Sequence, residues 1–176
     1  THIQLYQYQM QFKEQAMVDG MTGIANRRRY EGESQIKWQE AVRFGLPFSI
    51  CMMDIDKFKV YNDTFGHPAG DQVIASVAKT ASSHFRRATD LFARYGGEEF
   101  VAVFVGNDGR SAFEFLREIR QAVEDLHIPH DPQVGQWVTV SIGGVTLVPK
   151  VGESYETYLK LADPMLYDAK RFGRNQ

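Results

Sequence analysis

The sequence predicts an α/β sandwich: a mostly antiparallel central sheet with helices on its faces. Three observations lead there. Phe48 to Met53 is an apolar run interrupted only by Ser49, as expected of a strand buried on both faces. Leu91 to Arg94 and Phe100 to Val105 are strand-like and flank Gly96-Gly97-Glu98-Glu99, which reads as a β-hairpin with acid side chains at its glycine-built tip. Around these runs lie segments of helical spacing, such as Ser111 to Leu126, where Phe115, Leu116, Ile119 and Val123 form one stripe.

Along the chain, residues 1–18 hold no glycine or proline, and Ile3, Met10 and Met17 recur at seven-residue intervals, as do Leu5 and Phe12. This reads as the end of an amphipathic helix, either part of a two-chain coiled coil or packed on its own domain. Asp19-Gly20-Met21-Thr22-Gly23 breaks it. A second helix is expected from Ile24 to Phe44, ended by Gly45 and Pro47. The buried strand ends in Asp54-Ile55-Asp56. A short helix around Phe58 to Phe65 follows, then a turn over Gly66-His67-Pro68-Ala69-Gly70, then a helix capped by Asp71 and reaching Phe85. After the hairpin and the Ser111 to Leu126 helix, Trp137 to Leu147 reads as a strand and Glu153 to Phe172 as the final helix.

With 176 residues, 43% hydrophobic and 12% aromatic, the chain suits one folded domain and not a disordered segment. A net charge of −2 argues against general nucleic-acid binding. Cys51 is the single cysteine, so no internal disulfide can form, which suits a reducing, cytoplasmic setting. No apolar run approaches the ~20 residues that span a bilayer, so no membrane contact is expected of this stretch. The chain begins with Thr1 and reads as a piece of a longer protein whose N-terminal region could carry a sensor or membrane anchor. Residues 1–18 would be the end of its linker helix and 19–176 the domain.

Asp54 ends one buried strand, and Glu98, 44 residues on, starts another. If those strands are antiparallel neighbours, the two ends lie side by side. Adjacent carboxylates repel, and a divalent cation removes that cost. Two carboxylates and a backbone carbonyl such as that of Ile55 suit Mg²⁺ shared with substrate phosphates. Asp56 reads either as part of this cluster or as a cap of the following helix. No GxxxxGK[ST] or GxGxxG loop is present, so phosphate would rest on metal and scattered cations. Lys59 follows the acidic strand end, and Lys170 and Arg174, four apart, are expected to share a face of the last helix. The plain alternative for each is a solvated surface charge.

Seven motifs follow in order: DGMTGIANRRR at 19–29, DIDKFK at 54–59, NDTFGH at 62–67, Gly70-Asp71, RYGGEEF at 94–100, VSIG at 140–143 and AKRFGRN at 169–175. Together they resemble the GGDEF domain of bacterial diguanylate cyclases, in its GGEEF form, over about residues 19–175. The resemblance implies a cyclase and polymerase-palm-like sandwich. It also implies an enzyme that joins two GTP into cyclic di-GMP and releases two pyrophosphates, each domain of a homodimer holding one GTP. By it, Asp54, Glu98 and the carbonyl of Ile55 hold Mg²⁺, with Mn²⁺ as a substitute. Glu98 is the base for the attacking 3′-hydroxyl, which a nearby cation acidifies. Glu99 is a supporting acid, and Lys59 stabilises charge on the phosphates. Gly96 and Gly97 let the backbone approach the phosphates where a Cβ would obstruct, and Lys170 and Arg174 hold the γ-phosphate end. Asn62 and Asp71 match the guanine readers, since guanine offers a carboxylate the N1–H and N2–H₂ donor pair that adenine lacks. His67 lines the same pocket or is a half-exposed loop residue. Arg87-Ala88-Thr89-Asp90, just ahead of the hairpin, matches the site where product docks as feedback inhibitor, by arginine stacking on guanine and pairing with phosphate.

One departure stands out. The family's last helix usually runs Ala-Asp-x-Ala-Leu-Tyr, and here the run is Ala162-Asp163-Pro164-Met165-Leu166-Tyr167. An internal proline costs on the order of 3 kcal/mol unless the chain bends or restarts. Asp163-Pro164 also reads as cap and first turn of a new segment, and a kink there would re-aim Lys170 and Arg174. Two further readings stand beside the cyclase. One is an inactive domain that binds GTP, or senses cyclic di-GMP through Arg87 and Asp90. The other is a different two-metal nucleotidyl transferase. Intact Asp54, Lys59, Glu98 and Glu99 favour the enzyme over the first, and Asn62 with Asp71 argues against the second.

Overall fold

The buried strand of the sequence becomes the centre of the sheet. The structure is a computed structural model and describes residues 1–171 and 173–176. Phe172, the expected last residue of the final helix, lies outside the described residues. The elements are α1 (His2–Gln15), α2 (Arg27–Phe44), β1 (Phe48–Ile55), α3 (Phe58–Phe65), α4 (His67–Ser82), β2 (Leu91–Arg94), β3 (Glu99–Val105), α5 (Gly109–Glu124), β4 (Val140–Leu147) and α6 (Tyr155–Arg171). The four strands lie in the order β2-β3-β1-β4, each pair antiparallel.

Strand alternation sorts β1 between two cores. Cys51, Met53 and Ile55 pack with Val77 and Ala81 of α4 and Ile119 of α5 on one face. Phe48, Ile50 and Met52 pack with Tyr30 and Trp38 of α2 and Leu166 of α6 on the other. The same parity turns Asp54 toward the α6 side. There Gly143 of β4 lies so close to the backbone of Met165 and Leu166 that a Cβ would overlap it. Glycine is what allows α6 to sit directly on the sheet.

Helix ends follow local chemistry. Asn26 caps α2 by accepting from the Arg29 N–H, and Gly45 closes it at φ 64°. Asp108 caps α5 through the Ser111 N–H at 2.8 Å. Asp71 is not a cap: α4 already begins at His67, with Pro68 in its first turn, and Asp71 is exposed inside the helix. Proline has no N–H to lose at a helix start, so the expected turn is drawn into the helix. α6 runs through Pro164 without restarting. Pro164 and Lys160 are both exposed, so water can satisfy the carbonyl that loses its partner.

Residues 1–13 are all exposed, including Ile3, Leu5, Tyr6, Tyr8, Met10 and Phe12. Of the two readings of the first helix, packing on its own domain is confined to its C-terminal end, where Met10 and Lys13 line a groove with Arg29 and Ile36 of α2. No helix is long and apolar enough to cross a membrane among the described residues.

Candidate active site

The β1–β3 register sets Asp54 opposite Glu99. One step further, the Ile55 N–H donates to the Glu98 carbonyl at 3.3 Å. The two acidic segments thus converge at one end of the sheet, as antiparallel pairing of β1 with the hairpin requires. Asp54 is 5% exposed, whereas Glu98 and Glu99 are half-buried. The Lys170 ammonium, reaching over from α6, donates to Asp54 Oδ2 at 2.5 Å. Burial pushes the Asp54 carboxyl up to about 6, against the pull of Lys170, and the charges of Glu98 and Glu99 add to the rise.

That rise has a sign. Between pH 4 and 6 the folded chain keeps a proton that the unfolded chain has released, so stability falls as pH rises through this window, by on the order of 3 kcal/mol at most. Without added metal, Asp54→Asn is therefore expected to raise the urea midpoint at pH 7.5, and the gain should shrink toward pH 4. A pH-independent difference would contradict the assignment.

A hard divalent cation fits this end. The donors are oxygens, and a desolvated carboxylate crowded by two others is the group that a dication relieves. Among the described residues no group of three or more His, Cys, Asp or Glu is arranged to hold a metal ion by itself. Asp54, Glu98 and a carbonyl at Ile55 would leave coordination positions for water and phosphate.

The hairpin tip departs from expectation in an informative way. Neither Gly96 nor Gly97 has the left-handed φ that demands glycine. A Cβ at Gly97 would meet nothing within 4 Å, and one at Gly96 only Glu99 at ordinary contact distance. The fold itself has room for a side chain at both positions. The tip is held by Arg94, missed as a site residue in the sequence. Its Nη2 donates to the Gly97 carbonyl at 2.8 Å and its Nε to the Gly96 carbonyl at 3.2 Å. Its Nη1 pairs with Asp19 at 3.2 Å. The carboxylate of Asp19 also accepts from the Thr22 hydroxyl at 2.6 Å. Arg94 and Asp19 are 75 residues apart, a long-range side-chain contact that leaves no periodic signal.

At the corner between α3 and α4, Asn62 lies against Gly70 so closely that a Cβ there would overlap its Oδ1. That buried Oδ1 has no hydrogen-bond partner, an acceptor in want of a donor. Asp71 and His67 are exposed on α4 beside it, and Lys59 is exposed on the first turn of α3. Lys170 and Arg174 do not share a helical face. α6 ends at Arg171, Gly173 has φ 116°, and Arg174 follows at φ 60°. Arg174 lines a cleft with Asp56, Lys57 and Thr139. Arg87 and Asp90 form one local unit. Asp90 Oδ2 accepts from the Arg87 N–H at 3.1 Å, the side chains pair at 3.3 Å, and Arg87 Nη2 donates to Asn107.

Comparison with known proteins agrees with this arrangement. The family model "Diguanylate cyclase, GGDEF domain" matches residues 16–176. The probable diguanylate cyclase DgcC of Escherichia coli K12 is 32% identical over 176 residues, which is 100% of this chain and 46% of that protein. The coiled coil and GGDEF domain of DgcB from Caulobacter crescentus, solved in complex with c-di-GMP, superposes with a TM-score of 0.88 at 34% identity, over 98% of this chain and 90% of that one. The active GGEEF domain of a diguanylate cyclase from Vibrio cholerae gives a TM-score of 0.75 at 32% identity, over 85% and 93%. The chain spans about half the length of the curated relative it matches. GGDEF domains have the cyclase palm-like fold, and this sheet with its helical layers is an example of it. The chain belongs to the GGDEF domain family, that of the diguanylate cyclases.

Proposed function

We propose that residues 19–176 form a diguanylate cyclase that condenses two GTP into cyclic di-GMP and two pyrophosphates. The observation that carries this reading is the convergence of Asp54 and Glu98 at one sheet end, with Lys170 reaching the same carboxylate. Glu98 takes the proton of the 3′-hydroxyl of one GTP. That oxygen attacks the α-phosphorus of the GTP on a second copy of the chain, the bond to the β-phosphate breaks, and pyrophosphate leaves. The reciprocal step closes the ring. Mg²⁺ or Mn²⁺, held by Asp54, Glu98 and the Ile55 carbonyl, would neutralise charge on the phosphates. Lys59, Lys170 and Arg174 bind the phosphates, and the open backbone of Gly96 and Gly97 leaves room for them. Glu99 supports the acidic end. Asn62 and Asp71 read guanine, with His67 at the rim; the unpartnered Asn62 Oδ1 supports this, since guanine is a donor there. Arg87 and Asp90 bind product as inhibitor. The exposed apolar side chains of α1 support its pairing with a second copy, which brings two half-sites together.

Incubation with GTP and Mg²⁺, followed by mass identification of the product, tests the reading. Cyclic di-GMP is expected, with specific activity rising with protein concentration. GTP bound but unconverted would mark an inactive binding module. In the same assay Arg87→Ala should lose sensitivity to added product, and an unchanged inhibition curve would remove that site.

A further inference from the structure

The second aspartate after β1 has a role that helix capping does not explain. Asp56 is 4% exposed, and α3 takes Lys57 at its N-terminus without a side-chain cap. Its carboxylate faces β4 and the chain after α6 instead. Oδ1 accepts from the Ser141 hydroxyl at 2.6 Å, and Oδ2 from the Thr139 hydroxyl at 2.7 Å and from the Asn175 N–H at 3.0 Å. Asn175 is tied a second time: its Oδ1 accepts from Arg120 at 2.6 Å and its Nδ2 donates to Glu124 at 2.8 Å.

The segment so held is strained. Gly173, Arg174 and Asn175 have φ of 116°, 60° and 49°. Asparagine tolerates the left-handed region and arginine less so, and such conformations persist only where surrounding contacts over-determine them. The Arg174 N–H closes α6 by donating to the Ala169 carbonyl at 2.9 Å, so Lys170 lies inside the loop that this closure defines. Asp56 sits two residues beyond Asp54 on the same backbone. One rigid segment therefore carries the metal-side carboxylate and also the anchor of the turn that bears Arg174.

We propose that Asp56 is a positioning residue. By pinning the turn after α6 through the Asn175 N–H, it fixes Arg174, and Lys170 before it, toward the phosphate tail of a nucleoside triphosphate bound at Asp54 and Glu98. This rests on the functional reading above. The effect concerns the terminal phosphates only, because the base corner at Asn62 and Asp71 lies on α3 and α4.

Binding of GTP and of GMP, each with Mg²⁺, to the wild-type chain and to Asp56→Ala tests the assignment. Loss of the carboxylate takes away the acceptor of the half-buried Asn175 N–H. GTP affinity should fall about tenfold while GMP affinity stays within about twofold of wild type. Arg174→Ala should also weaken GTP in the wild type, yet add little in the Asp56→Ala background, since both changes remove the same contact. Asp56→Asn should restore most of the loss. Its amide oxygen can accept from Thr139 and Asn175 while the Ser141 hydroxyl turns to accept from the NH₂. If Asp56→Ala does not fold, Thr139→Val removes one of the three hydrogen bonds and carries the same comparison at smaller amplitude. Equal weakening of GTP and GMP, or additive effects with Arg174→Ala, would overturn the assignment while the cyclase reading stands. A wild-type chain that binds no GTP would overturn the cyclase reading, and this assignment with it.

Discussion

Glu98→Gln is expected to abolish formation of cyclic di-GMP while GTP binding falls much less. The substitution keeps the shape of the side chain and removes its charge. A carboxamide neither takes a proton from a hydroxyl at neutral pH nor offsets a dication. General-base catalysis alone contributes about 10²–10⁴-fold, and a weakened cation contact adds to the loss, so turnover should drop by at least ~10³-fold. Affinity should stay within roughly tenfold, because the contacts assigned to Asn62, Asp71 and the lysines do not pass through Glu98. Product formation and calorimetric GTP binding, measured on the same preparation, separate the two quantities. Turnover close to wild type would remove Glu98 from both of its assigned roles.

The largest expected effect on folding comes from Gly143→Ala. The added Cβ overlaps the backbone of Met165 and Leu166, and a backbone cannot step aside as the end of a flexible side chain can. α6 must lift from β4, at a cost of about 3 kcal/mol, a large share of the ~5–15 kcal/mol that a domain of this kind has in total. Activity should fall as well, because α6 carries Lys170 to Asp54. Gly97→Ala is the matched control. Its Cβ meets nothing within 4 Å, so the unfolding free energy from urea titration should hold within about 0.5 kcal/mol while GTP binding weakens. A Gly143→Ala protein as stable as wild type would contradict the close packing of α6. A Gly97→Ala protein with unaltered GTP binding would contradict the approach of phosphate at the tip.

The part of the site that rests on the sheet was legible in the sequence. An apolar run closed by Asp54 and a hairpin opening on Glu98 put the two acids side by side on the condition that the strands pair antiparallel, and the β1–β3 register meets that condition. What was not legible rests on contacts between remote side chains or on single backbone torsions. Arg94 holding the tip and Asp19 has no local pattern. Asp71 looked like a cap because Gly66 to Gly70 reads as a turn, whereas Pro68 opens the helix within that stretch. Lys170 and Arg174 have helical spacing, but the left-handed turn at Gly173 to Asn175 separates them. Gly96 and Gly97 suggested a tight turn; with no left-handed φ at either position, their small size is what counts. Pro164 suggested a break that solvent exposure makes unnecessary.

If Asp54 and Glu98 share a dication, removing either carboxylate must loosen it. Mn²⁺ binding in the presence of a non-hydrolysable GTP analogue can be followed by electron paramagnetic resonance for the wild-type chain, Asp54→Asn and Glu98→Gln. The wild type should bind Mn²⁺ at the protein, and each substitution should weaken that binding by at least about tenfold. Mn²⁺ binding as tight in Asp54→Asn as in the wild type would contradict a shared dication.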